Sequence, residues 1–190
     1  MAQGLAPDVV VRILAAALLP VWIAAGPGPG ASHSAPWRIT IAPPEEPGEP
    51  LLVSGIVYAS DGATPLPGIT LDLHHTDARG YYWPGWIKRR LRGRLTTDSL
   101  GRYEFRTSKP APYPGRRNPA HIHVRASGAG VPEQYPDDFR FEGDPFLSED
   151  AISRAKAQGS FSPICRLTRD AAGVLHCRRD IRVQTASAAR

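Results

Sequence analysis

The chain has 190 residues, of which 42% are hydrophobic and 22% charged, a composition typical of one folded domain with appendages and not of a disordered chain. Twenty prolines and eighteen glycines indicate many turns and few long helices. The net charge of +5 comes from arginine, and the densest basic run covers residues 88–94. We interpret this run as a solvated loop or a patch for small anions, and we predict no nucleic-acid site.

An apolar segment, ILAAALLPVWIAA, follows Arg12. Its thirteen residues are too few to span a bilayer, which takes about 20, so we predict no stable membrane span. Small residues follow it, and residues 1–34 therefore match a secretory signal. The alternative is a buried helix, which Pro20 disfavours. We expect a periplasmic or extracellular protein, or a cytoplasmic one if this segment is not a signal.

Residues 35–50 are rich in proline and predict an extended arm or linker. From residue 51 to residue 184 short alternating segments are separated by turns, and residues 185–190 form a tail. Strands are predicted at 51–59, at 69–75, on both sides of a turn at 98–101, at 121–127, and in a closing hairpin over 163–183. Only residues 149–158 have a helical pattern. The predicted fold is an all-β sandwich with long loops and at most one short helix.

The two cysteines flank the turn of the closing hairpin. Strand pairing symmetric about Ala171 would place Cys165 and Cys177 opposite each other, so a disulfide is geometrically feasible and would suit an exported protein. In a reducing cytosol they would be two buried thiols. Neither cysteine has a C-x₂₋₄-C partner, which argues against a structural zinc site.

Residues 118–125, NPAHIHVR, carry two histidines one residue apart. On a strand His121 and His123 share one face, while Ile122 and Val124 face the core. Two imidazoles on one face suit a metal ion, although they also suit an exposed polar face. His33, His74, His75 and His176 are the other histidines, and no glutamate follows the pair within residues 124–130, so a cupin-like site has little support.

Tyrosines are the stronger partners for this pair. Tyr81 and Tyr82 both follow the turn TDARG, and three prolines on alternate residues make the segment around Tyr113 stiff and extended. Each tyrosine alone is more often a core or rim residue. Together, two phenolates and two imidazoles would form a coherent site for Fe(III), because phenolate is a hard anionic donor.

Between residues 52 and 183 the sequence resembles the intradiol ring-cleavage dioxygenases of the catechol and protocatechuate type. The matching phrases are SGIVY…G…PLPGITLDLHHTDARGYY, LRGRLTTDSLGRYEFRTSKPAPYPG, PAHIHV, FRFEGDP and RDAAGVLHCRRDI. The resemblance implies a prealbumin-like β-sandwich with non-haem Fe(III) as cofactor. It implies a small aromatic diol and O₂ as partners. It is compatible with a homo-oligomer but does not determine the oligomeric state.

The resemblance also implies roles for individual residues. The implied iron ligands are Tyr82, Tyr113, His121 and His123. Tyr82 is preferred to Tyr81 because the family motif is Gly-x-Tyr, and Tyr82 is implied to take up a substrate proton. The implied reaction cleaves the ring between the two hydroxylated carbons and gives a cis,cis-muconate-type diacid. Arg116, Arg117 and the basic run slightly favour a carboxylated substrate such as protocatechuate.

The sequence departs from the family pattern near the histidines. Asn118 stands where the family has an arginine that stabilises the anionic substrate, and Arg117 or Arg125 is the implied catalytic substitute. Asp138 replaces a glutamine, and His74 replaces a tryptophan. From the sequence we expect no counterpart of the long N-terminal helical region of catechol dioxygenases. One alternative is therefore a catalytically impaired binding module, and another is a zinc or copper site that uses His121, His123 and His75.

Overall fold

The computed structural model describes residues 1, 35–82 and 90–186, and the fold lies within the compact unit His33–Arg190. The predicted signal at residues 1–34 and the last residues of the tail lie outside the described residues, apart from Met1. The strands are β1 Arg38–Thr40, β2 Pro50–Tyr58, β3 Thr70–His75, β4 Leu91–Thr96, β5 Arg102–Ser108, β6 His121–Gly128, β7 Val131–Gln134, β8 Phe139–Phe141, β9 Ile164–Cys165, β10 Thr168–Arg169, β11 Leu175–Arg178 and β12 Ile181–Arg182. The helix α1 is Glu149–Lys156, and a 3₁₀ turn follows at Gly159–Phe161.

Two mixed sheets form a sandwich. The first sheet has the order β1-β5-β2-β11-β10, with β12 also paired to β2, and the second has the order β4-β3-β6-β8-β9, with β7 also paired to β6. Their facing side chains form the hydrophobic core, because residues on alternate positions of each strand point inward. The predicted all-β sandwich is confirmed.

The alternating patterns predicted the inward faces correctly. In β3, Leu71 and Leu73 are buried, and in β6 Ile122 and Val124 are buried while His121 and His123 are half-buried on the opposite face. The sheet face that carries the histidines is therefore the outer face of the second sheet. Because the period of a strand is two, this one register places both imidazoles outside the core.

An aromatic cluster joins the two sheets behind β8. Phe105 of the first sheet meets Phe139 of the second edge to face, with ring centroids 5.7 Å apart, and Tyr103 contacts both rings. Such aromatic pairs contribute about 0.5–1.5 kcal/mol beyond the burial of their area. This packing fixes β8, the strand that lies beside the start of β6.

Two features of the topology differ from the simplest interpretation of the sequence. Residues 38–40, within the segment predicted as an arm, form β1, which runs parallel to β5 with Arg38 opposite Glu104. The turn at residues 98–101 does not close a hairpin, because β4 belongs to the second sheet and β5 to the first. Local patterns identify strands, but the choice of sheet depends on contacts between residues that are distant in sequence.

The closing hairpin is shorter than predicted, and its register is shifted. Thr168 pairs with His176 and Arg169 with Leu175, so the turn is centred on residue 172 and not on 171. Cys165 instead lies in β9 of the second sheet and Cys177 in β11 of the first. Their disulfide, with a Cα–Cα distance of 5.4 Å, therefore links the two sheets and does not bridge neighbouring strands of a hairpin.

The helix α1 agrees closely with the predicted helical segment. Ser148 caps its N-terminus by accepting a hydrogen bond from the backbone N–H of Ala151, and acidic residues occupy the first turn, which favours the positive end of the helix dipole. Within residues 35–82 and 90–186 no helix has the length and apolar composition needed to cross a membrane.

Candidate metal centre

The two histidines at the start of β6 present their Nε2 atoms to each other at a distance of 3.2 Å. Nδ1 of His121 lies 2.7 Å from the backbone oxygen of Pro119, and Nδ1 of His123 lies 3.0 Å from Oδ2 of Asp138. Both acceptors require a proton on Nδ1, so each Nε2 carries a lone pair. Two lone pairs at this separation repel each other unless a cation or a proton donor lies between or beside them.

The two tyrosines complete this group. The Tyr113 hydroxyl lies 3.3 Å from Nε2 of His123, and the Tyr82 hydroxyl lies 3.1 Å from the Tyr113 hydroxyl. The Tyr113 ring also meets the His121 ring edge-on, with centroids 5.2 Å apart. Two phenolic oxygens and two imidazole nitrogens therefore converge, although Tyr82 is distant in sequence from the other three residues.

Gly80 allows the two tyrosine-bearing segments to approach each other. Its φ is +85°, and a Cβ atom at this position would lie 2.0 Å from the backbone oxygen of Pro112. Only glycine has both the backbone freedom and the space for this contact. The glycine of the Gly-x-Tyr motif therefore has a structural role, since it brings the segment of Tyr82 against that of Tyr113.

Asp77 organises the turn that leads to Tyr82. Its Oδ1 accepts hydrogen bonds from the backbone N–H groups of Arg79 and Tyr81, and its backbone oxygen accepts from Gly80 and Ala111. The turn is thus tied both to itself and to the segment that carries Tyr113. Asp77 was not among the residues predicted to support the site, although an aspartate three residues before a turn glycine is a typical signal of such a turn.

Asp138 was noted only as a departure from the family, and the structure places it against His123. The carboxylate is half-buried, and burial by itself would raise its pKa. The hydrogen bond to His123 has the opposite effect and helps to keep the pKa of Asp138 below its ordinary value. Burial lowers the pKa of His121, and the nearby charges of His123 and Arg140 lower it further. A carboxylate behind a ligating imidazole is a common arrangement in metal sites, since it fixes the tautomer and raises the basicity of the ligand.

Asp144 anchors the loop next to the histidines. Its Oδ2 accepts a hydrogen bond from the backbone N–H of Ala120 at 2.9 Å, and its Oδ1 accepts from the N–H of Phe146 at 2.9 Å. The FEGDP segment therefore clamps the residue that precedes His121. This role depends on a contact across 24 residues, which no local pattern could reveal.

The residues present suit a metal ion. Ligand atoms of His121, His123 and Asp138 lie within 4.8 Å of one another, and the two phenolic oxygens are next to the imidazoles. Neutral imidazole with hard oxygen donors suits a first-row transition-metal ion and not a thiophilic metal. A metal ion would also relieve the repulsion between the two Nε2 lone pairs.

The zinc or copper alternative that uses His75 is wrong. His75 lies opposite Ile122 and faces the core, where its Nε2 is 2.7 Å from Oγ1 of Thr107. The adjacent residue, His74, lies opposite His123 and stacks on it with ring centroids 4.5 Å apart. His176 lies on β11 of the other sheet and pairs with Asp170, while His33 lies outside the described residues.

The two arginines suggested as substitutes for the family arginine have other neighbours. Arg117 is exposed, with its guanidinium 6.0 Å from the Phe146 ring. Arg125 lies on the same face as the histidines and forms ion pairs with Asp72 and Glu133. Asn118 has its side-chain oxygen buried without a hydrogen-bond partner. Arg140, which no local pattern pointed to, lies directly opposite His121 on β8.

A cavity of about 770 Å³ opens beside His123 on the outer face of the second sheet. Its lining combines the stacked histidine pair with charged side chains from three strands and two residues of the segment between β7 and β8. The described lining residues are Asp72, Leu73, His74, Arg92, Gly93, Arg94, His123, Val124, Arg125, Tyr135 and Asp138. Arg92 and Arg94 belong to the basic run, whose end is therefore part of β4 and not a loop.

Comparison with known proteins finds relatives that are all dioxygenases. The dioxygenase family model matches residues 19–183. The chain is 30% identical over 135 residues to chlorocatechol 1,2-dioxygenase of Rhodococcus opacus, covering 60% of this chain and 52% of the relative. It is 31% identical over 139 residues to catechol 1,2-dioxygenase 1 of Acinetobacter lwoffii, covering 62% of this chain and 44% of the relative. The chain thus spans about half the length of the curated relatives it matches.

Solved structures agree with this relationship. The dioxygenase domain of a dioxygenase–carbohydrate-binding fusion from Streptomyces sp. SirexAA-E superposes with a TM-score of 0.61 and 29% identity, covering 84% of this chain and 95% of that one. Catechol 1,2-dioxygenase from Pseudomonas arvilla C-1 gives a TM-score of 0.65 at 25% identity, covering 85% of this chain and 62% of that one. The β-sandwich, the converging tyrosines and histidines and these matches lead to one conclusion: the chain belongs to the intradiol ring-cleavage dioxygenase family.

Proposed function

We propose that this protein cleaves a catechol-type ring between its two hydroxylated carbons, with both atoms of O₂ entering a cis,cis-muconate-type diacid. The observation that carries the proposal is the convergence of the Tyr113 hydroxyl with Nε2 of His121 and His123, with the Tyr82 hydroxyl beside it. Relatives named for catechol, chlorocatechol, hydroxyquinol and protocatechuate support it.

The proposed cofactor is non-haem Fe(III), held by Tyr82, Tyr113, His121 and His123. Bound there, it would supply the Lewis acidity that draws electron density from the diol and activates a ring carbon towards O₂. The donor set favours the ferric state because phenolates are hard anionic ligands. The bonds of the two Nδ1 atoms to Pro119 and Asp138 hold both imidazoles in the tautomer that a ligand requires.

Tyr82 is proposed to accept a proton from a diol hydroxyl at its Oη atom. Neither histidine is suited to that role, because each Nδ1 is bonded to an oxygen and each Nε2 is turned towards the other ligands. The backbone oxygen of Asp77 ties the turn carrying Tyr82 to the Tyr113 segment, so movement of the Tyr82 phenol would be a rotation of its side chain.

The negative charge of the bound diol needs a nearby cation, and we assign this role to Arg140. It faces His121 across the β6–β8 pair, where Cβ atoms of opposite residues are about 4.5–5.5 Å apart. It is half-buried, and within the described residues its guanidinium forms no ion pair. The charge of Arg125 is already compensated by Asp72 and Glu133, and Arg117 is exposed next to Phe146.

A carboxylated diol such as protocatechuate is the preferred substrate under this proposal. The cavity beside His123 is lined by Arg92, Arg94 and Arg125, and arginine is well suited to bind a carboxylate through two parallel hydrogen bonds. Catechol itself would bind the metal in the same manner but would leave these groups solvated.

A visible spectrum and an oxygen electrode test the proposal together. Protein purified after aerobic iron loading is expected to be coloured, because tyrosinate-to-Fe(III) charge transfer absorbs visible light, and to consume O₂ when catechol or protocatechuate is added. Tyr113→Phe is expected to lose both properties. The matched control is Tyr58→Phe. Tyr58 ends β2 of the first sheet and packs against Phe161 of the 3₁₀ turn, away from the candidate ligands. Colourless wild-type protein after iron loading would contradict the proposal.

Asn118 favours a second candidate function, a metal- or ligand-binding module without turnover. Its buried oxygen lacks a partner at the position where the family has a cation. A coloured protein that binds catechols but takes up no O₂ would support this second function. If Arg140 supplies the missing positive charge, the protein is expected to turn over catechols. The same measurement of O₂ uptake therefore distinguishes the two candidate functions.

We also propose that the protein is exported. Support comes from the apolar run near the N-terminus and from the disulfide between Cys165 and Cys177, since disulfides persist mainly in oxidising compartments. Expression of the full chain in a bacterium with a periplasm, followed by fractionation and intact mass, tests this. Full-length protein with free thiols in the cytoplasm would contradict it.

A further inference from the structure

We propose that Arg179 is a positioning residue of the candidate metal centre. It holds the segment that carries Asp138, and Asp138 in turn orients His123. This inference rests on the proposed function and deepens it, because it extends the support of one candidate ligand to the opposite sheet. Two observations carry it: Arg179 is a buried cation, and it donates a hydrogen bond to the residue that precedes Asp138.

Arg179 follows β11 directly and is 3% exposed. Its Nη1 donates to the backbone oxygen of Asp137 at 2.7 Å, while its Nε is buried without a hydrogen-bond partner. Among the described residues no carboxylate forms an ion pair with this guanidinium. Burial lowers the pKa of Arg179, and Tyr103, Asp137 and Asp138 act in the opposite direction. A buried charge with so few partners costs stability, so packing of the core alone does not account for it.

The backbone of Arg179 is fixed to the first sheet. Its N–H donates to the backbone oxygen of Ser54 in β2, and its own oxygen accepts a hydrogen bond from the Tyr103 hydroxyl of β5. At Gly55 a Cβ atom would lie 1.7 Å from that same oxygen, so the close approach of β2 requires glycine there. Cys177, two residues earlier, is disulfide-bonded to β9. The side chain of Arg179 therefore starts from a rigid point.

From this point the side chain reaches the start of β8 in the second sheet. The guanidinium carbon lies 4.7 Å from the centre of the Phe139 ring, and Nη1 bonds Asp137, so the two contacts flank Asp138 in sequence. Residues 135–138 join β7 to β8 and take part in none of the strand pairings between described residues. A cation over an aromatic face is attracted most strongly where water is excluded. Arg179 therefore helps to fix a segment that the sheet itself does not hold.

The position of this segment determines the orientation of His123. Oδ2 of Asp138 lies 3.0 Å from Nδ1 of His123, and a hydrogen bond weakens steeply once its geometry departs from the ordinary range. With Asp137 and Phe139 held by Arg179, the carboxylate stays within reach of Nδ1. Without Arg179 the segment can shift, and the imidazole can then rotate or change tautomer. Arg179 thus acts on the metal centre through Asp138.

Iron affinity in a double-mutant cycle tests this role. The affinity for Fe(III) is measured by chelator competition on the full chain for the wild type, Arg179→Met, Asp138→Ala and the double variant, and O₂ uptake with catechol is measured separately. Arg179→Met removes the charge and the donors but keeps a long side chain, whereas Arg179→Lys keeps a charge and a donor. Urea unfolding of each metal-free variant gives its stability.

Two controls separate positioning from stability. Tyr103→Phe removes the hydrogen bond to the backbone oxygen of Arg179 but leaves the guanidinium and the tyrosine ring packing in place. Arg106→Lys changes an exposed arginine on β5 of the first sheet. Tyr103→Phe is expected to lose stability and to keep the iron affinity of the wild type, and Arg106→Lys is expected to keep both.

Arg179→Met is expected to weaken iron binding about tenfold. In the Asp138→Ala background the same change is expected to weaken it less than about twofold, because the carboxylate through which Arg179 acts is gone. Arg179→Lys is expected to recover part of the loss. If Arg179→Met does not fold, Arg179→Lys tests the role by itself, with an expected loss of about threefold that disappears in Asp138→Ala.

Three results would overturn the role of Arg179: unchanged iron affinity in the folded Arg179 variants, an equal loss with and without Asp138, or an affinity that follows stability in Tyr103→Phe as well. The expected cycle in a protein that takes up no O₂ with catechols would keep the role of Arg179 and reject the proposed activity. O₂ uptake together with equal losses in both backgrounds would reject the role and keep the activity.

Discussion

Oδ2 of Asp138 lies 3.0 Å from Nδ1 of His123, and this pair orients one of the candidate ligands. Asp138→Ala removes the acceptor, so the imidazole can rotate or change tautomer, and we expect iron affinity to fall about 10–100-fold. Asp138→Asn keeps an oxygen acceptor and is expected to lose less. Competitive titration with an iron chelator measures both. Equal affinity in Asp138→Ala and the wild type would show that the carboxylate does not support the site.

Tyr113 is the candidate ligand in contact with both histidines. Tyr113→Phe removes its oxygen but keeps the ring packed against His121, so the free energy of unfolding of the metal-free protein should change by less than about 1 kcal/mol. The affinity for iron is expected to fall at least about 100-fold, because losing a ligand costs no less than losing the residue that supports a ligand. The iron content after dialysis should fall accordingly. Elemental analysis and urea unfolding separate these two effects. Full iron retention would reject Tyr113 as a ligand.

Gly80 controls the approach of the Tyr82 and Tyr113 segments. Gly80→Ala places a Cβ atom 2.0 Å from the oxygen of Pro112 at a φ of +85°, so we expect a loss of about 2–4 kcal/mol in stability and a larger loss of iron binding. The matched control is Gly115→Ala, at a φ of +73° with no atom within 4 Å. It is expected to cost only about 1 kcal/mol for the backbone conformation. Equal effects of the two changes would contradict the proposed role of Gly80.

Arg140 should balance the charge of the bound diol. Arg140→Gln is expected to lower kcat about 10- to 100-fold with little change in KM, since a cation near developing negative charge acts mainly on the transition state. Arg140→Lys should recover part of the loss, and Arg106→Gln should leave kcat unchanged. The visible spectrum of the resting iron form should stay the same in all three. If Arg125→Gln or Arg117→Gln is the variant that loses turnover, the assignment to Arg140 is wrong.

His75 makes stability depend on pH. Burial lowers its pKa from 6.5 to about 4, so the folded state resists protonation that the unfolded state accepts. The stabilising contribution is complete above pH 6.5 and is lost as pH falls from 6.5 to about 4, up to about 3 kcal/mol. Urea unfolding at pH 7.5, 6.0 and 4.5 should show a smaller pH dependence in His75→Gln than in the wild type. The half-buried His121, whose pKa is also lowered by burial, preserves part of the slope.

The strands and the candidate metal ligands were largely predictable from local sequence. Alternation identified the buried faces of β3 and β6, because a strand has a period of two, and it placed His121 and His123 on the outer face. The proline spacing around Tyr113 and the Gly-x-Tyr motif drew attention to the two tyrosines. These signals lie within short segments, where backbone geometry alone determines which side chains share a face.

The supporting residues were not predictable in this way. Asp138 and Asp144 act through hydrogen bonds to residues that other strands or loops bring near, and Arg140 is relevant only because β8 pairs with β6. The cysteines were predicted to lie opposite each other in one hairpin. They instead connect the two sheets, because the centre of the hairpin lies one residue later than predicted, which shifts the strand pairing by two residues, and β9 pairs with β8.

The sequence by itself therefore determined the strand faces and the fold class, which follow from its periodicity, and the set of candidate ligands, which follows from its resemblance to the family. Only the tertiary structure decided how the site is supported and where its charges lie. Contacts between β6, β3, β4 and β8 bring Asp138, Arg140 and Arg92 around the histidines. Those contacts depend on which strands become neighbours, and this is fixed by packing of the whole core and not by any local segment.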